Sequence, residues 1–210
     1  MLDCKEVYIF GYSGHSYVVI ESLLDLDFTI MGYFDKEAAE YNPYNLSYCG
    51  YEADTDLQNI VKAAFVFPCV GEGSIRQKLV NNFTDLGLKQ FIVKDPSANI
   101  SRTAVIGPST FIGKNSVINA LSVIGTGVII NTGSIVEHEC KVDDFTHLAP
   151  SSTLAGNVHI GKHSFVGANS TVKQNTKIGT NSILGAGGVL LNNLPDNEIW
   201  VGNPAKKLER

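Results

Sequence analysis

From Ile100 onward an aliphatic residue recurs at every sixth position, through Ile106, Ile112 and Ile118 to Leu184 and Leu190. All sixteen positions of this series are Ile, Val or Leu, a regularity beyond chance. Four places after each aliphatic residue a small one is usual, as at Ala104, Thr110, Ser116, Ser122, Ser134, Ser152 and Ser164. One place after it Gly or Asn is common, as at Gly107, Gly113, Asn119, Gly125, Asn131, Gly161 and Gly167. A six-residue period fits neither an α-helix nor an alternating strand. It predicts short strands joined by tight corners, each strand turning one aliphatic side chain inward. Gly and Asn tolerate positive φ, which corners require. Small residues at the fourth place leave room for the neighbouring inward side chains. Stacked coils then bury a continuous aliphatic column. No insertion breaks the period over 96 residues, so no long loop is expected to leave the solenoid.

The first half has a different pattern. Val7 to Phe10 is a short apolar run, followed by Gly11-Tyr12-Ser13-Gly14-His15-Ser16 and a helical pattern through Val18, Val19, Leu23 and Leu26. A second run, Thr29 to Phe34, ends in Asp35-Lys36, and a third, Ala63 to Val70, ends in Gly71-Glu72-Gly73. A helix is predicted from Ser74 to Leu86 and a last short strand from Gln90 to Val93; residues 40–56 read as loop. Strand, glycine loop, helix, strand and acidic residue is the order of a Rossmann-like unit. Its loop presents backbone N–H groups and a helix N-terminus to a phosphate. The dinucleotide fingerprint is incomplete, because Ser13 and Ser16 replace its second and third glycines. NAD is therefore disfavoured against another nucleotide ligand.

Charge separates the halves. Residues 1–95 carry 7 basic and 14 acidic residues, and residues 96–210 carry 9 and 7. The shift predicts two domains, 1–95 and 96–210. The net charge of -5 argues against nucleic acid as the main partner. The longest apolar run, Ala63 to Gly71, is far too short to span a bilayer, and no signal peptide is read at Met1. Cys4, Cys49, Cys69 and Cys140 form no CxxC pair and are expected as reduced thiols of a cytoplasmic protein. The histidines of the second half are spaced 9, 12 and 4 apart, which on a β-solenoid is no metal-ligand pattern.

The repeat resembles the hexapeptide-repeat acyltransferases, whose fold is a left-handed parallel β-helix. That resemblance implies three hexads per triangular coil, about five coils, a homotrimer with active sites between neighbouring prisms, and acyl donors on coenzyme A or acyl carrier protein. With its Rossmann-like first domain the chain resembles the bacterial nucleotide-sugar acetyltransferases. These include the UDP-bacillosamine pathway N-acetyltransferase and the sialic acid O-acetyltransferases. The residues that carry the likeness are Gly11-Tyr12-Ser13-Gly14-His15, Ile135-Val136-Glu137-His138-Glu139-Cys140, Phe145-Thr146-His147, Ala155-Gly156-Asn157-Val158 and Val201-Gly202-Asn203-Pro204-Ala205-Lys206.

The resemblance implies an acetyl-CoA-dependent N-acetyltransferase, without metal, acting on the 4-amino group of a UDP- or dTDP-linked 4-amino-4,6-dideoxyhexose for glycan biosynthesis. O-acetylation of a sugar or sialic acid and a non-catalytic trimeric scaffold are the competing readings. Amide formation from a thioester needs a proton acceptor and stabilisation of an oxyanion. The resemblance gives His138 the role of base and Glu139 that of tuning it, since a touching carboxylate favours a protonated imidazole. It assigns the donor to His147, Gly156, Ala168, Ala186 and Lys206. It assigns the sugar nucleotide to Ser13, Gly14, His15, Asp35, Lys36 and Gly71. His159 and His163 are expected in solvent.

Overall fold

The computed structural model describes residues 5–209; Met1 and Cys4 lie outside the described residues. The chain builds an α/β unit and then a β-solenoid. The α/β unit runs β1 (Glu6–Phe10), α1 (Gly14–Asp25), β2 (Thr29–Phe34), α2 (Leu57–Val61), β3 (Phe65–Pro68), α3 (Gly73–Asp85) and β4 (Lys89–Gln90). The strands form one parallel sheet in the order β2-β1-β3-β4. Helix α3 buries Arg76, Leu79, Val80 and Phe83, an i, i+3, i+4, i+7 stripe. Its N-cap is Glu72, whose carboxylate accepts hydrogen bonds from the N–H groups of Ser74 and Ile75.

Two differences from the sequence expectation are local. The third strand is shorter than Ala63 to Val70. The strand expected at Gln90–Val93 is two strands in two sheets, because Val93–Lys94 pairs with Phe111–Ile112 of the solenoid. Helix α2 emerged only in the structure. Among the described residues no helix is long and apolar enough to cross a membrane.

The solenoid is a left-handed parallel β-helix of about six turns, one more than the repeat count implies. It starts a hexad earlier, at Val93–Lys94, and Ile199–Val201 extends it past Leu190. Its two-residue strands form three faces, and up to Leu190 each strand pairs with the one 18 residues on, as in Val123↔Lys141 and Ile129↔His147; the last step, Ile183↔Ile199, is 16 residues. The face holding Phe111, Ile129 and His147 is called B, that of Ile135 and Thr153 C, and that of Val123 and Lys141 D. The inward aliphatic positions from Ile112 to Leu190 are buried and make one column. Burial of each such side chain stabilises the fold by about 1.5–3 kcal/mol.

The corner chemistry corrects one expectation. Positive φ falls three places after the aliphatic residue, not one, at Ser109, Asn115, Leu121, Gly127, Gly133, Glu139, Phe145 and onward every sixth residue to Gly187. The glycines one place after it answer a different need. A β-carbon at Gly161 would stand 2.6 Å from the Thr180 nitrogen of the next coil, and one at Gly167 would collide with the Ala186 nitrogen. Close stacking of coils selects glycine there. The small residues of the fourth place do more than leave room. Ser122, Ser134 and Ser164 are buried and donate hydrogen bonds to the carbonyls of Glu137, Ala149 and Gly179. Their hydroxyls are thereby satisfied inside the column.

The α/β unit docks on face B. Phe111 and Ile129, outward-pointing residues of the solenoid, belong to the same buried cluster as Val7, Ile9, Val19, Leu23 and Phe67. Asp95 accepts a hydrogen bond from Ser22 on α1 at 2.7 Å.

Candidate functional site

The structure assembles two histidine sites in different places. The first stands on the corner between faces C and D. His138 Nδ1 lies 3.0 Å from Glu139 Oε2, and both side chains are 58% exposed. A carboxylate only accepts, so Nδ1 carries the proton and Nε2 is free. Gly156 lies one coil on, under the imidazole. A β-carbon there would come within 2.5 Å of His138 Cε1 and 2.6 Å of Nε2. The coils are tied at this point, since the Asn157 N–H donates to the His138 carbonyl at 2.8 Å. Glu139 holds φ at 60°, a conformation costly for a residue with a β-carbon, so its backbone is fixed by the stack.

The second site lies where the α/β unit meets face B. Arg76 is 1% exposed and forms no ion pair among the described residues. Its guanidinium spends its donors on backbone carbonyls. Nη1 reaches Val70 and Gly71 at 2.9 Å, Nη2 reaches Phe145 at 2.7 Å, and Nε binds the Gly127 carbonyl. One side chain thus ties the loop after β3 to two solenoid coils. Burial lowers its pKa to about 10, so it remains a cation at neutral pH.

Two imidazoles lie beside it, with ring centres 6.1 Å apart. Burial first, then His147 and Arg76, push the pKa of His15 down to about 3. Burial first, then Arg76, push His147 down to about 4, while a hydrogen bond to the Gly71 backbone works the other way. The Asn131 side-chain amide is 3.3 Å from His147 Nε2, and its N–H can donate only to an unprotonated nitrogen. Both rings are therefore neutral hydrogen-bonding groups at neutral pH. His15 Nε2 is buried with no hydrogen-bond partner among the described residues.

Next to this site, a cleft opens at the carboxyl ends of β1, β2 and β3. Gly11, Ser13, Asp35 and Lys36 line it together with Glu52, Val70 and Ile75. Ser13 is the N-cap of α1, and its side chain makes no capping bond. Asp35 accepts N–H bonds from Tyr12 at 2.9 Å and Lys36 at 2.7 Å, so it clamps the glycine loop to the end of β2.

Of the residues expected to hold the sugar nucleotide, Ser13, Asp35, Lys36, His15 and Gly71 thus gather around one region. The residues expected to hold the acyl donor do not. His138 and Gly156 are on the C–D corner, while Ala168 and Ala186 stack on the corner between faces B and C. His147 is on face B, and Lys206 lies in an exposed strand paired with Ile199–Val201. His163 departs from expectation. It stacks on Phe145 at 5.5 Å, and its Nδ1 is buried close to Gly73. His159 pairs with Asp143 at 2.9 Å. Cys49, Cys69 and Cys140 are free thiols. No group of three or more His, Cys, Asp or Glu is arranged for a metal ion among the described residues.

Sequence reasoning missed Arg76, Asn131 and Glu52. A signal for Arg76 was present: a charged residue on the stripe of Leu79, Val80 and Phe83 occupies a core position.

An α/β unit docked on a hexapeptide solenoid that carries an exposed His–Glu pair is the architecture of the two-domain hexapeptide-repeat transferases. Residues 6–83 match the PglD N-terminal domain family, and residues 157–192 match the bacterial transferase hexapeptide (six repeats) family. A single-histidine variant of perosamine N-acetyltransferase from Caulobacter crescentus, solved with CoA and GDP-perosamine, superposes with a TM-score of 0.93 at 33% identity. The match covers 98% of this chain and 97% of that one. The acetyltransferase domain of PglB from Neisseria gonorrhoeae, in complex with acetyl coenzyme A, gives 0.91 at 31% identity over 98% and 100% of the two chains. WeeI from Acinetobacter baumannii shares the fold, with a TM-score of 0.86 at 23% identity over 96% and 99%. The chain belongs to this family of bacterial hexapeptide-repeat acetyltransferases with a PglD-type N-terminal domain.

Proposed function

We propose that the chain transfers the acetyl group of acetyl-CoA to the 4-amino group of a nucleotide-linked 4-amino-4,6-dideoxyhexose, with His138 as general base. The observation that carries this reading is the His138–Glu139 pair at 3.0 Å over Gly156, in a chain that also holds a nucleotide cleft. The relatives with CoA and GDP-perosamine or acetyl coenzyme A support both substrates. The sequence resemblance favours a uracil or thymine base, and the Caulobacter relative adds guanine to the choice.

In the proposed step the sugar amine attacks the thioester carbonyl. Its proton passes to His138 Nε2 while Nδ1–H stays on Glu139. The Gly156 N–H stabilises the oxyanion, and collapse releases the coenzyme A thiolate, which recovers the proton from His138. Residues 1–95 bind the sugar nucleotide, with the pyrophosphate at the N-terminus of α1. Residues 96–210 bind the donor through His147, Gly156, Ala168, Ala186 and Lys206. His15 and Gly71 border the sugar. Both substrates are cytoplasmic compounds, and we place the enzyme there.

The active unit in this reading is a homotrimer. His138 and Gly156 stand on the C–D edge of one prism, and Ala168 and Ala186 on its B–C edge. A donor lying between two prisms would touch one edge of each. Light scattering should give three times 22.7 kDa; a stable 22.7 kDa monomer with full activity would refute the composite site. The test of function is acetylation of GDP-, UDP- and dTDP-linked 4-amino sugars with acetyl-CoA, followed by thiol release and mass spectrometry. Turnover of free sialic acid but of no nucleotide amino sugar would replace this reading with O-acetylation.

A further inference from the structure

The nucleotide cleft continues beyond the glycine loop. Its inner hollow, about 180 Å³, is bordered by Gly11, Ser13 and Asp35. An outer hollow of about 310 Å³ is bordered by Tyr51, Ala53, Lys78 and Asn82. Lys36, Glu52, Ile75 and Leu79 line both. A nucleotide with its pyrophosphate at Ser13 therefore reaches the outer hollow with its base. Ile75 and Leu79 form an apolar wall against which a flat ring packs, and Lys36 and Lys78 stand at the polar rim.

Two carboxylates face this cleft, and only one is available. Asp35 already receives the N–H groups of Tyr12 and Lys36. Glu52 makes no ion pair among the described residues, and the hydrogen bond it accepts is from its own backbone N–H. Burial first, then the charge of Asp35, raise its pKa, while Lys36 opposes them. A half-buried carboxylate of this kind is stabilised by a ligand that brings donors.

We propose that Glu52 selects the base of the nucleotide sugar and that this base is guanine. The inference rests on the nucleotide-sugar reading above and sharpens it. A carboxylate offers two adjacent acceptors and no donor. Guanine presents N1–H and N2–H side by side, and the two groups match as a bidentate pair. Uracil and thymine present a single N3–H flanked by two carbonyl oxygens, and one of these would face the second oxygen of Glu52. Adenine and cytosine place a ring-nitrogen acceptor beside their amino group. Guanine alone satisfies both oxygens. Lys36, which borders both hollows, remains available for the phosphates.

Calorimetric titration of the full chain with GDP, UDP and dTDP tests the assignment, with coenzyme A as a control ligand. GDP should bind at least about tenfold more tightly than UDP or dTDP, the discrimination expected of a matched polar edge. Glu52→Gln replaces one acceptor with a donor. It should weaken GDP about 10-fold or more, leave UDP within about twofold, and leave coenzyme A unchanged. Equal weakening of all three nucleotides by Glu52→Gln would overturn the proposal, as would UDP or dTDP binding as tightly as GDP in the unaltered protein. The latter result leaves the nucleotide-sugar reading standing. Coenzyme A binding without any nucleotide binding would overturn both.

Discussion

His138 stands on an open solenoid corner, with 58% of its side chain exposed and a carboxylate at its Nδ1. His15 of α1 and His147 of face B meet at the seam between the α/β unit and the solenoid, beside a buried arginine. The same side chain is thus placed in opposite surroundings within one molecule. An exposed imidazole can return its proton to water or to a leaving group in every cycle. An imidazole buried beside a cation stays neutral and acts as a fixed donor or acceptor. In the function proposed above, the difference separates a group that moves protons from groups that hold a ligand in place.

The largest expected effect tests the first member of that contrast. His138→Ala should lower kcat by about 10²–10⁴-fold while coenzyme A still binds. A variant keeping more than about a tenth of wild-type kcat would mean that the enzyme works by positioning an already neutral amine. The second member rests on Arg76. Arg76→Met removes the donors to the Val70, Gly71, Phe145 and Gly127 carbonyls and should cost about 3–5 kcal/mol of unfolding free energy. Chemical denaturation measures this; a loss under about 1 kcal/mol would show that water replaces the guanidinium.

The neutral pair also predicts a pH dependence. In the unfolded chain an imidazole titrates near 6.5, whereas His15 and His147 titrate at about 3 and about 4 in the fold. The unfolded state therefore binds more protons between these limits. Stability is complete above about pH 6.5 and falls as the pH drops toward about 4, by roughly 2–3 kcal/mol per ring at pH 4.5. Replacing both rings with Gln should flatten this limb of the Tm profile; an unchanged slope would assign it to the carboxylates. The smallest effect concerns the support beneath His138. Gly156→Ala brings a methyl into the imidazole and should lower kcat about tenfold, with Tm nearly unchanged. Activity at the wild-type level would show that the ring can swing aside without loss.

The solenoid was readable in the sequence because one period fixes every side chain's direction. Once Ile112 is inward, the positions of His138 and Gly156, one coil apart, follow by counting. The same counting misplaced the positive-φ corner. Gly107 and Gly125 advertise flexibility, yet neighbouring coils demand their lack of a β-carbon, while Phe145 and Glu139 hold the left-handed conformation. The α/β unit was readable only as an order of elements. Its contacts with the solenoid, such as Arg76 to Phe145 and Ser22 to Asp95, join residues 69 and 73 positions apart that no local pattern relates. The exposure of His163 was misjudged for that reason, because Gly73 and the start of α3 lie against its ring.

The strict 18-residue register restricts how this gene can change in length. An insertion or deletion of one hexad turns every later residue onto the next face of the prism. A whole coil can be duplicated without disturbing any inward position. The α/β unit grips the coils that carry Phe111, Ile129, Phe145 and His163, so an added coil beyond Asn181 leaves its docking intact. One inserted between Phe111 and Phe145 moves the two attachment points apart. Length variation among descendants of this chain is therefore expected in steps of 18 residues, and toward the carboxyl end.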